Sequence, residues 1–424
     1  MKKFIVILVC VFSIPDLTIQ AQPLMQLTLN DCYTLATKNY PLVKQQELIA
    51  KTVSYSIENL HKGYLPQLNV VGQATYQSAV TEIPIKLPGV SIPTLSKDQY
   101  RVYGEVNQLL YDGGLIEQQK QLQKANEKIE QQKLETELYG LKERINQLYF
   151  GVLLIDEQLK QSRLLIKDIQ LGLNKVQAAI DYGTALKSNA DILKADLLKN
   201  NQRTIELKAG RLAYTTMLSV FIGKTIGEQT ILIKPAPVKP SATINRPELL
   251  VYNEQSKTLD IQNMLLKIKT LPKVGLFLQT GIGRPALNML INNLECYYIG
   301  GIRLNWSPSA FYTLKKDRAL ADISRRNIDV QKETFLFNTN LLVQQQCAEI
   351  GKYQQLLASD DEIIALRIKV KNTSLAQLEN GVINANDYLR EVNAEDQARQ
   401  TKILHEIQLL MSQYNQQTTT GNQL

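Results

Sequence analysis

The sequence predicts a mainly α-helical protein with a small β part of the membrane-spanning type, built from two similar halves. Three observations predict this fold class: apolar residues at coiled-coil spacing over long runs, four alternating segments of strand length, and recurrence of the whole pattern after about 200 residues. With 424 residues, 44% hydrophobic and 21% charged, the composition excludes a disordered chain and a bundle of apolar transmembrane helices.

The first 21 residues have the pattern of a cleaved signal peptide. Lys2 and Lys3 precede a short apolar run, and a cleavage site is expected near Ala21. We therefore expect an exported protein from which residues 1–21 are removed. An exported chain meets no chromosomal DNA, so we expect no nucleic-acid partner. The net charge of +8 then indicates a solvated surface of mixed charge.

The first half, residues 22–223, begins with helical patterns and continues into two strands, near residues 67–78 and 99–110. In the second of these strands Val102 and Val106 share one face, and Arg101 and Glu105 lie on the other. The first strand alternates in the same way. Alternation over about ten residues is what a tilted strand needs to cross a bilayer.

A coiled-coil pattern follows the second strand. Between residues 134 and 159 the apolar residues recur at alternating spacings of four and three. Residues 115–180 therefore predict one helix, roughly 100 Å long at 1.5 Å per residue. It should turn near residues 181–190, where Gly183 can take the left-handed conformation that ends a helix.

The second half repeats this plan after a proline-containing linker, residues 224–246. The second repeat covers residues 247–416, and residues 417–424 are expected to be a flexible tail. The second repeat should contain two strands, near residues 272–284 and 296–307. A long helix over about residues 312–378 and a turn near residues 380–386 should follow them.

Four strands are too few to enclose a pore. Open sheet edges are not tolerated in hydrocarbon, and known single-chain barrels have about eight strands or more. The strand count therefore predicts that several copies of the chain combine their strands.

The sequence offers little material for catalysis or for a cofactor. It contains two histidines, His61 and His405, and the cysteines beyond the signal segment, Cys32, Cys296 and Cys347, have no metal-ligand spacing. No nucleophile, phosphate-binding or metalloprotease motif is present. We expect no enzyme activity, no metal and no cofactor.

The order of the motifs resembles the TolC-like outer membrane efflux protein family over nearly the whole mature sequence. The motifs are the duplicated plan, GYLPQL at residues 63–68 entering the first strand, and LLYDGG at residues 109–114 leaving the second. At the second helical turn, Gly381 is followed six residues later by Asp387 and then by a leucine, as in the family. At the first turn, the interval from Gly183 to Asp191 is two residues longer.

The resemblance implies a homotrimer in which three copies form a twelve-stranded β-barrel among outer membrane lipids, continued by a periplasmic α-helical barrel. It implies a passive exit duct of a Gram-negative bacterium, with a large periplasmic part. The partners implied are a periplasmic adaptor protein and an inner-membrane transporter, and the substrates of such systems range from drugs and metals to proteins.

The resemblance also implies a pore constriction at the periplasmic ends of the helices. Asp387 matches an acidic position of that constriction, and Asp191 is the candidate in the first half. Arg390 stands where some relatives have a second acid, and Glu391 is a candidate to replace it. A role for Asp387 as an acid in the first turn of a helix stays open.

Two further sets of candidates follow from position. The adaptor-docking tips are predicted at Tyr182, Gly183, Thr184, Asn380, Gly381 and Val382. The membrane-interface aromatics are predicted at Tyr100, Tyr111, Tyr298 and Trp306. Simple turn chemistry for the first set and packing beneath the barrel for the second set remain alternatives.

The alternative function is a soluble periplasmic coiled-coil adaptor. Such a protein should have one helical hairpin between β-rich soluble domains, so two hairpins and four alternating strands favour the duct.

Overall fold

The computed structural model describes residues 26–82 and 94–422, so the expected signal peptide lies outside the described residues. In these residues the chain forms, in order, β1 (Gln26–Leu27), α1 (Leu29–Asn39), α2 (Gln45–His61), β2 (Gln67–Tyr76), β3 (Asp98–Tyr111), α3 (Leu115–Tyr139), α4 (Leu141–Asp181), α5 (Lys187–Ile222), β4 (Ile231–Leu232), α6 (Glu248–Ile268), β5 (Lys273–Arg284), β6 (Glu295–Asn305), α7 (Ala310–Glu379) and α8 (Ala385–Thr420). Across this described part, no helix is both long and apolar enough to span a membrane.

The strands and the helices next to them form one continuous wall. The antiparallel sheet has the order β2-β3-β5-β6, and its central β3–β5 pair joins the two halves of the chain. Each strand is attached to one helix, and these helices pack in the corresponding order α2-α3-α6-α7. Strands β2 and β6 are therefore the two edges of the sheet.

The register gives the sheet one apolar and one polar face. Val106 lies opposite both Leu68 and Leu278, and Ile302 lies opposite Leu276, so apolar residues of all four strands share a face. Paired residues of antiparallel strands point to the same side. Arg101, Glu105 and Arg303 lie on the opposite side, as the alternation in the sequence predicts.

Away from the sheet, the helices pack as two coiled-coil hairpins. Helix α4 packs along α5, α7 packs along α8, and α4 joins the two hairpins by packing along α8. Ile169 and Leu193 are fully buried near the turns, and Tyr388 is 1% exposed. The Tyr388 ring lies where a Cβ on Gly172 would be, so the lack of a side chain there brings α4 and α8 together.

The middle of the molecule holds the largest apolar core, and the linker is part of it. Strand β4, within the linker, pairs in parallel with β1. Tyr149 is fully buried, and its hydroxyl lies within hydrogen-bonding distance of two carbonyl oxygens, those of Leu27 and Ile233, at 2.9 and 2.7 Å. The linker is thus fastened to the helices around it.

The expectation of a flexible tail over residues 417–424 is wrong as far as Thr420, which ends α8 and is fully buried. The carbonyl of Thr420 accepts a hydrogen bond from the N–H of Asn245 at 2.6 Å, and Arg246 donates to the carbonyl of Thr418 at 3.2 Å. The end of α8 is ordered because the linker folds back over it.

The long helix expected over residues 115–180 is interrupted once, at Gly140, between α3 and α4. The N–H of Gly140 still donates to the carbonyl of Thr136 at 3.1 Å, so the two helices follow each other closely. The corresponding helix of the second half, α7, runs without a break for 70 residues, about 105 Å at 1.5 Å per residue.

Candidate functional site: the helical tips and the wall

The two helical turns have the same backbone geometry. Gly183 and Gly381 follow the ends of α4 and α7 with φ of 72° and 66°. In the first turn the N–H of Gly183 donates to the carbonyl of Ile180 at 2.9 Å, and the N–H of Thr184 donates to that of Ala179 at 2.8 Å. The same pair of bonds recurs in the second turn. This is the Schellman arrangement, which requires the left-handed residue that glycine supplies most readily.

The predicted docking residues lie at the surface of these turns. Tyr182 is 86% exposed and Val382 is 69% exposed, each next to its glycine. Nothing lies within 4 Å of a Cβ built on Gly183 or Gly381. A larger residue there would be strained by the positive φ and would clash with nothing. Each tip therefore presents a large, largely apolar side chain at the surface.

The equal geometry of the turns corrects the alignment of the acidic candidates. Because α5 begins at Lys187 and α8 at Ala385, the two turns are equally long, over residues 182–186 and 380–384. Asp387 lies six residues after Gly381, and the residue six after Gly183 is Asn189. Asp191, which is exposed, corresponds instead to Leu389. Asp191 and Asp387 are therefore not equivalent, because the backbone of the two turns, and not the type of residue, sets which positions correspond.

Asp387 lies in the first turn of α8, where its backbone N–H donates to the side-chain oxygen of the N-cap residue Asn384 at 3.0 Å. An acid in this position interacts favourably with the helix N-terminus. The capping alternative therefore has a geometric basis, and it is compatible with a carboxylate at a constriction.

Arg390 and Glu391 differ in exposure. The side chain of Glu391 is 15% exposed and pairs with Arg367 of α7 at 3.6 Å and with Arg390 at 3.1 Å. The side chain of Arg390 is 73% exposed and borders a groove of about 480 Å³ between α5 and α8. Glu391 therefore links helices of its own hairpin, whereas Arg390 faces outward.

A buried ionic cluster connects the two hairpins, and the sequence did not reveal it. Lys371 of α7 lies 2.8 Å from Asp168 of α4 and 2.6 Å from Glu395 of α8, which also pairs with Arg399 at 2.7 Å. Glu395 and Arg399 are spaced i,i+4 on one helix, a signal that the sequence did contain. The link to α4 and α7 depends on the tertiary packing.

Burial and hydrogen bonds act in opposite directions on this cluster. Burial alone would raise the pKa of Glu395, but hydrogen bonds from Lys371 and Arg399 outweigh it, and the pKa is lowered. The neighbouring Asp396 is different, because burial raises its pKa despite a 2.9 Å hydrogen bond from Gln161. The charged form of Glu395 is thus stabilised in the fold and that of Asp396 is not.

The polar face of the sheet also carries an ordered network. Glu105 of β3 accepts hydrogen bonds from Gln279 of β5 at 2.6 Å and from Arg303 of β6 at 2.7 Å. The Arg303 guanidinium lies 4.4 Å from the centre of the Phe277 ring. The charged side chains on this face are thereby held across three strands.

Three of the four aromatic candidates lie at the two ends of the sheet, and all four are exposed. Tyr100, which is 49% exposed, lies at the end away from the helices, whereas Tyr298, which is 76% exposed, pairs with Thr280, four paired positions nearer the helices. At the helical end, Tyr111 is 48% and Trp306 is 54% exposed, and the indole N–H of Trp306 donates to the carbonyl of Thr270 at 3.0 Å.

The distance between the two aromatic bands matches a bilayer. Tyr100 and Tyr111 are ten paired positions apart along β3, allowing for the bulge near Leu109. At about 3.4 Å per residue this is roughly 34 Å, or about 25 Å along the normal for a strand tilted by about 45°. Tyr76, which is 79% exposed, joins the band at the far end and was not among the candidates.

A wall of strands continued by helices, with one apolar sheet face and two coiled-coil tips, is the architecture of TolC-like outer membrane channels. Solved structures of outer membrane channels have a similar fold. The chain is similar to the transmembrane channel CusC, with a TM-score of 0.66 and 13% identity over 93% of this chain and 92% of that one. It is similar to the open MtrE outer membrane channel of Neisseria gonorrhoeae, with a TM-score of 0.64 and 13% identity over 93% and 89%.

A third similar structure is the outer membrane protein VceC of Vibrio cholerae, with a TM-score of 0.63 and 9% identity over 93% of this chain and 96% of that one. No protein-family model matches the sequence, and no curated protein matches it significantly. The chain therefore has the fold of the TolC-like outer membrane proteins that its motifs resemble.

Proposed function

We propose that this protein is the outer membrane exit duct of a tripartite efflux or type I secretion system. Three copies would form a twelve-stranded barrel in the outer membrane of a Gram-negative bacterium and a helical barrel in the periplasm. Substrates would be delivered by an inner-membrane transporter through a periplasmic adaptor and would pass without chemical change. The observation that carries the proposal is a sheet with one apolar face, one polar face and two unpaired edges.

The apolar face supports contact with lipid. Val70 is 76% exposed, Ile302 is 71% exposed and Leu304 is 64% exposed, and they share this face with most other apolar strand residues. Contiguous apolar surface of this kind marks an interaction site and would be costly in water. The aromatic bands on either side suit the two headgroup regions of a bilayer.

The sheet edges support self-association. Among the described residues, strands β2 and β6 each have one neighbouring strand, and open edges do not persist in hydrocarbon. Pairing β6 of one copy with β2 of the next satisfies both edges. Three copies give twelve strands, within the range of even strand numbers seen in bacterial barrels.

The helices carry matching seams. On α7, Ile323, Val330 and Phe337 are exposed at intervals of seven residues, on the side opposite the buried Thr339 and Val343. Exposed residues at the same interval occur on the helices of the other edge, namely Leu48 and Tyr55 on α2 and Leu198, Ile205 and Leu212 on α5. Apolar residues at this spacing form coiled-coil contacts, which neighbouring copies would complete.

The tips are the proposed adaptor-docking surface, since Tyr182 and Val382 lie exposed beside the two glycines. Asp387 is the leading constriction candidate, and Arg390 is the exposed cation beside it. Asp191 and Glu391 are weaker candidates, the first because of its register and the second because of its ion pairs.

The experiment is fractionation combined with a seam variant. The protein should be extracted from the outer membrane as a heat-sensitive, trimer-sized species that conducts ions in planar bilayers. Phe337→Lys should abolish this species because it places a charge in each seam. Asn338→Lys is the matched control, because Asn338 is exposed on the same helix about 100° away from the seam. Recovery as a soluble periplasmic monomer would contradict the duct and favour the adaptor.

A further inference from the structure

The loop between β5 and β6, residues 285–294, is unusually apolar for a segment at the free end of the sheet. It contains no charged residue. Leu287, Met289, Leu290 and Leu294 are each more than half exposed, between 53% and 61%. Together they expose on the order of 400 Å² of apolar side chain, a patch size that usually marks an interaction site.

The base of this loop is held firmly against the neighbouring chain. The side chain of Asn292 accepts from the N–H of Ser96 at 3.1 Å and donates to its hydroxyl at 2.8 Å. Arg284 donates to the same hydroxyl at 2.8 Å and to the carboxylate of Asp98 at 3.1 Å. Ala286 is 6% exposed. The apolar side chains are therefore presented from an anchored base.

The loop crosses the polar side of the sheet. Gly283 is paired with Arg101 and so belongs to the polar face. A Cβ on Gly283 would point at the carbonyl oxygen of Pro285, 3.1 Å away, and at Cα of Ala286, 3.7 Å away. The chain thus folds over the polar face directly after β5, and Gly283 leaves room for it.

We infer that the three copies of this loop meet over the outer mouth of the duct and close it with an apolar contact between copies. The inference rests on the proposed function, which places the polar face inside the barrel. An apolar patch held on that side is turned away from the lipid, which lies against the opposite face. The same patch of the other two copies is then the apolar partner within reach.

The dimensions permit this contact. Twelve strands spaced about 4.8 Å apart and tilted by about 40° enclose a barrel of roughly 12 Å radius. A loop of ten residues can extend by about half its contour length, or roughly 16 Å. Three such loops reach the threefold axis. Loops in contact narrow the mouth, so that large solutes are held back while small ones pass between the loops, and the mouth widens when the loops part.

The test measures access from outside to a thiol in the lumen. Asn69 is exposed on the polar face at the level of Glu105, and Asn69→Cys is made in a chain whose Cys32, Cys296 and Cys347 are replaced by serine. Intact cells are treated with a small maleimide and with a maleimide on a polyethylene glycol of about 0.5 kDa, a size chosen to pass the open barrel of roughly 12 Å radius but not the closed mouth. The small reagent should label the introduced thiol rapidly in every variant.

The loop variant decides the inference. Leu287→Ser with Leu290→Ser should speed labelling by the large reagent, whereas Asn293→Ser, a polar replacement in the same loop, should leave it slow. Equal labelling by the large reagent in the parent and the loop variant would overturn the loop closure. Failure of even the small reagent would overturn the interior position of the polar face, and with it the proposed duct.

A second measurement does not require the loop to open. Met289→Cys should form disulfides between copies on mild oxidation, because loops in contact bring Cβ atoms to within the roughly 3.5–4.5 Å that a disulfide requires. Two results together would contradict the inference. In trimers of Met289→Cys the thiol would stay reduced under oxidation, and in Asn69→Cys with an otherwise unchanged loop the thiol would be labelled by the large reagent.

Discussion

Replacing Lys371 with methionine removes the cation that two carboxylates share where the hairpins meet. The Lys371 ammonium lies 2.8 Å from Asp168 and 2.6 Å from Glu395, whose side chain is 5% exposed. Removing one partner of a buried ion pair costs about 3–5 kcal/mol. Here Glu395 keeps Arg399, and the Asp168 side chain is 34% exposed and can be hydrated. We therefore expect a loss of about 2–3 kcal/mol.

Native-state hydrogen exchange of the α8 amides measures this loss where it occurs. A decrease of about 2–3 kcal/mol in the free energy of local opening corresponds to exchange about 30- to 150-fold faster. The matched control is Lys160→Met, since Lys160 pairs with Glu157 at 2.7 Å while 64% exposed. Such a surface pair should change stability by less than about 0.5 kcal/mol.

Two outcomes would refute the reasoning. In the first, Lys371→Met exchanges no faster than Lys160→Met, which would mean that the buried cluster contributes no net stability. In the second, the double variant Lys371→Met/Glu395→Gln is no more stable than Lys371→Met alone. We expect instead that it regains at least half of the lost stability, because the amide introduced at position 395 still accepts a hydrogen bond from Arg399 and leaves no uncompensated buried charge.

Three further predictions concern the same helices. The pKa of Glu395 is lower in the fold, so the folded state binds fewer protons and stability should fall as the pH drops below the ordinary value of 4.5. Thermal unfolding followed from about pH 6 to about pH 3 should show a flatter loss in Glu395→Gln, and identical profiles would contradict this. Gly172→Ala should destabilise by about 1–3 kcal/mol because its methyl group meets the Tyr388 ring. The control Gly351→Ala, in open space within α7, should stabilise the protein by about 0.5–1 kcal/mol. If Gly172→Ala and Gly351→Ala shifted the melting temperature in the same direction, the packing of Gly172 against Tyr388 would be contradicted. Asp387→Asn should reduce cation preference in bilayer reversal potentials, and an unchanged potential would leave Asp387 only its position at the helix N-terminus.

The parts of the fold that follow from local rules could be predicted from the sequence. The period of two separates Arg101 and Glu105 from Val102 and Val106, and the register keeps that separation. Gly183 and Gly381 were identifiable because a residue of positive φ ends a helix at little cost when it is glycine. Both kinds of signal depend on residues close together in the chain.

The features that were missed depend on residues far apart. The burial of Thr420 results from the linker folding back near Asn245, which helical periodicity does not encode. The cluster around Lys371 needs the packing of α4 against α8, and the sequence shows which positions face inward but not which helix they face. Asp191 was paired with Asp387 by residue type, although the backbone pairs Asp387 with Asn189.

The interruption at Gly140 gives the two halves of the duplicated chain different mechanics. In the first half, α3 and α4 meet at a glycine, where a helix bends more easily than elsewhere. In the second half, α7 runs as one uninterrupted helix from the sheet to the tip. A displacement of the tip of α4 could be absorbed at Gly140, whereas the same displacement of α7 would reach the base of β6. Movement at the helical tips should therefore be conveyed to the sheet through the second half of the chain and damped in the first.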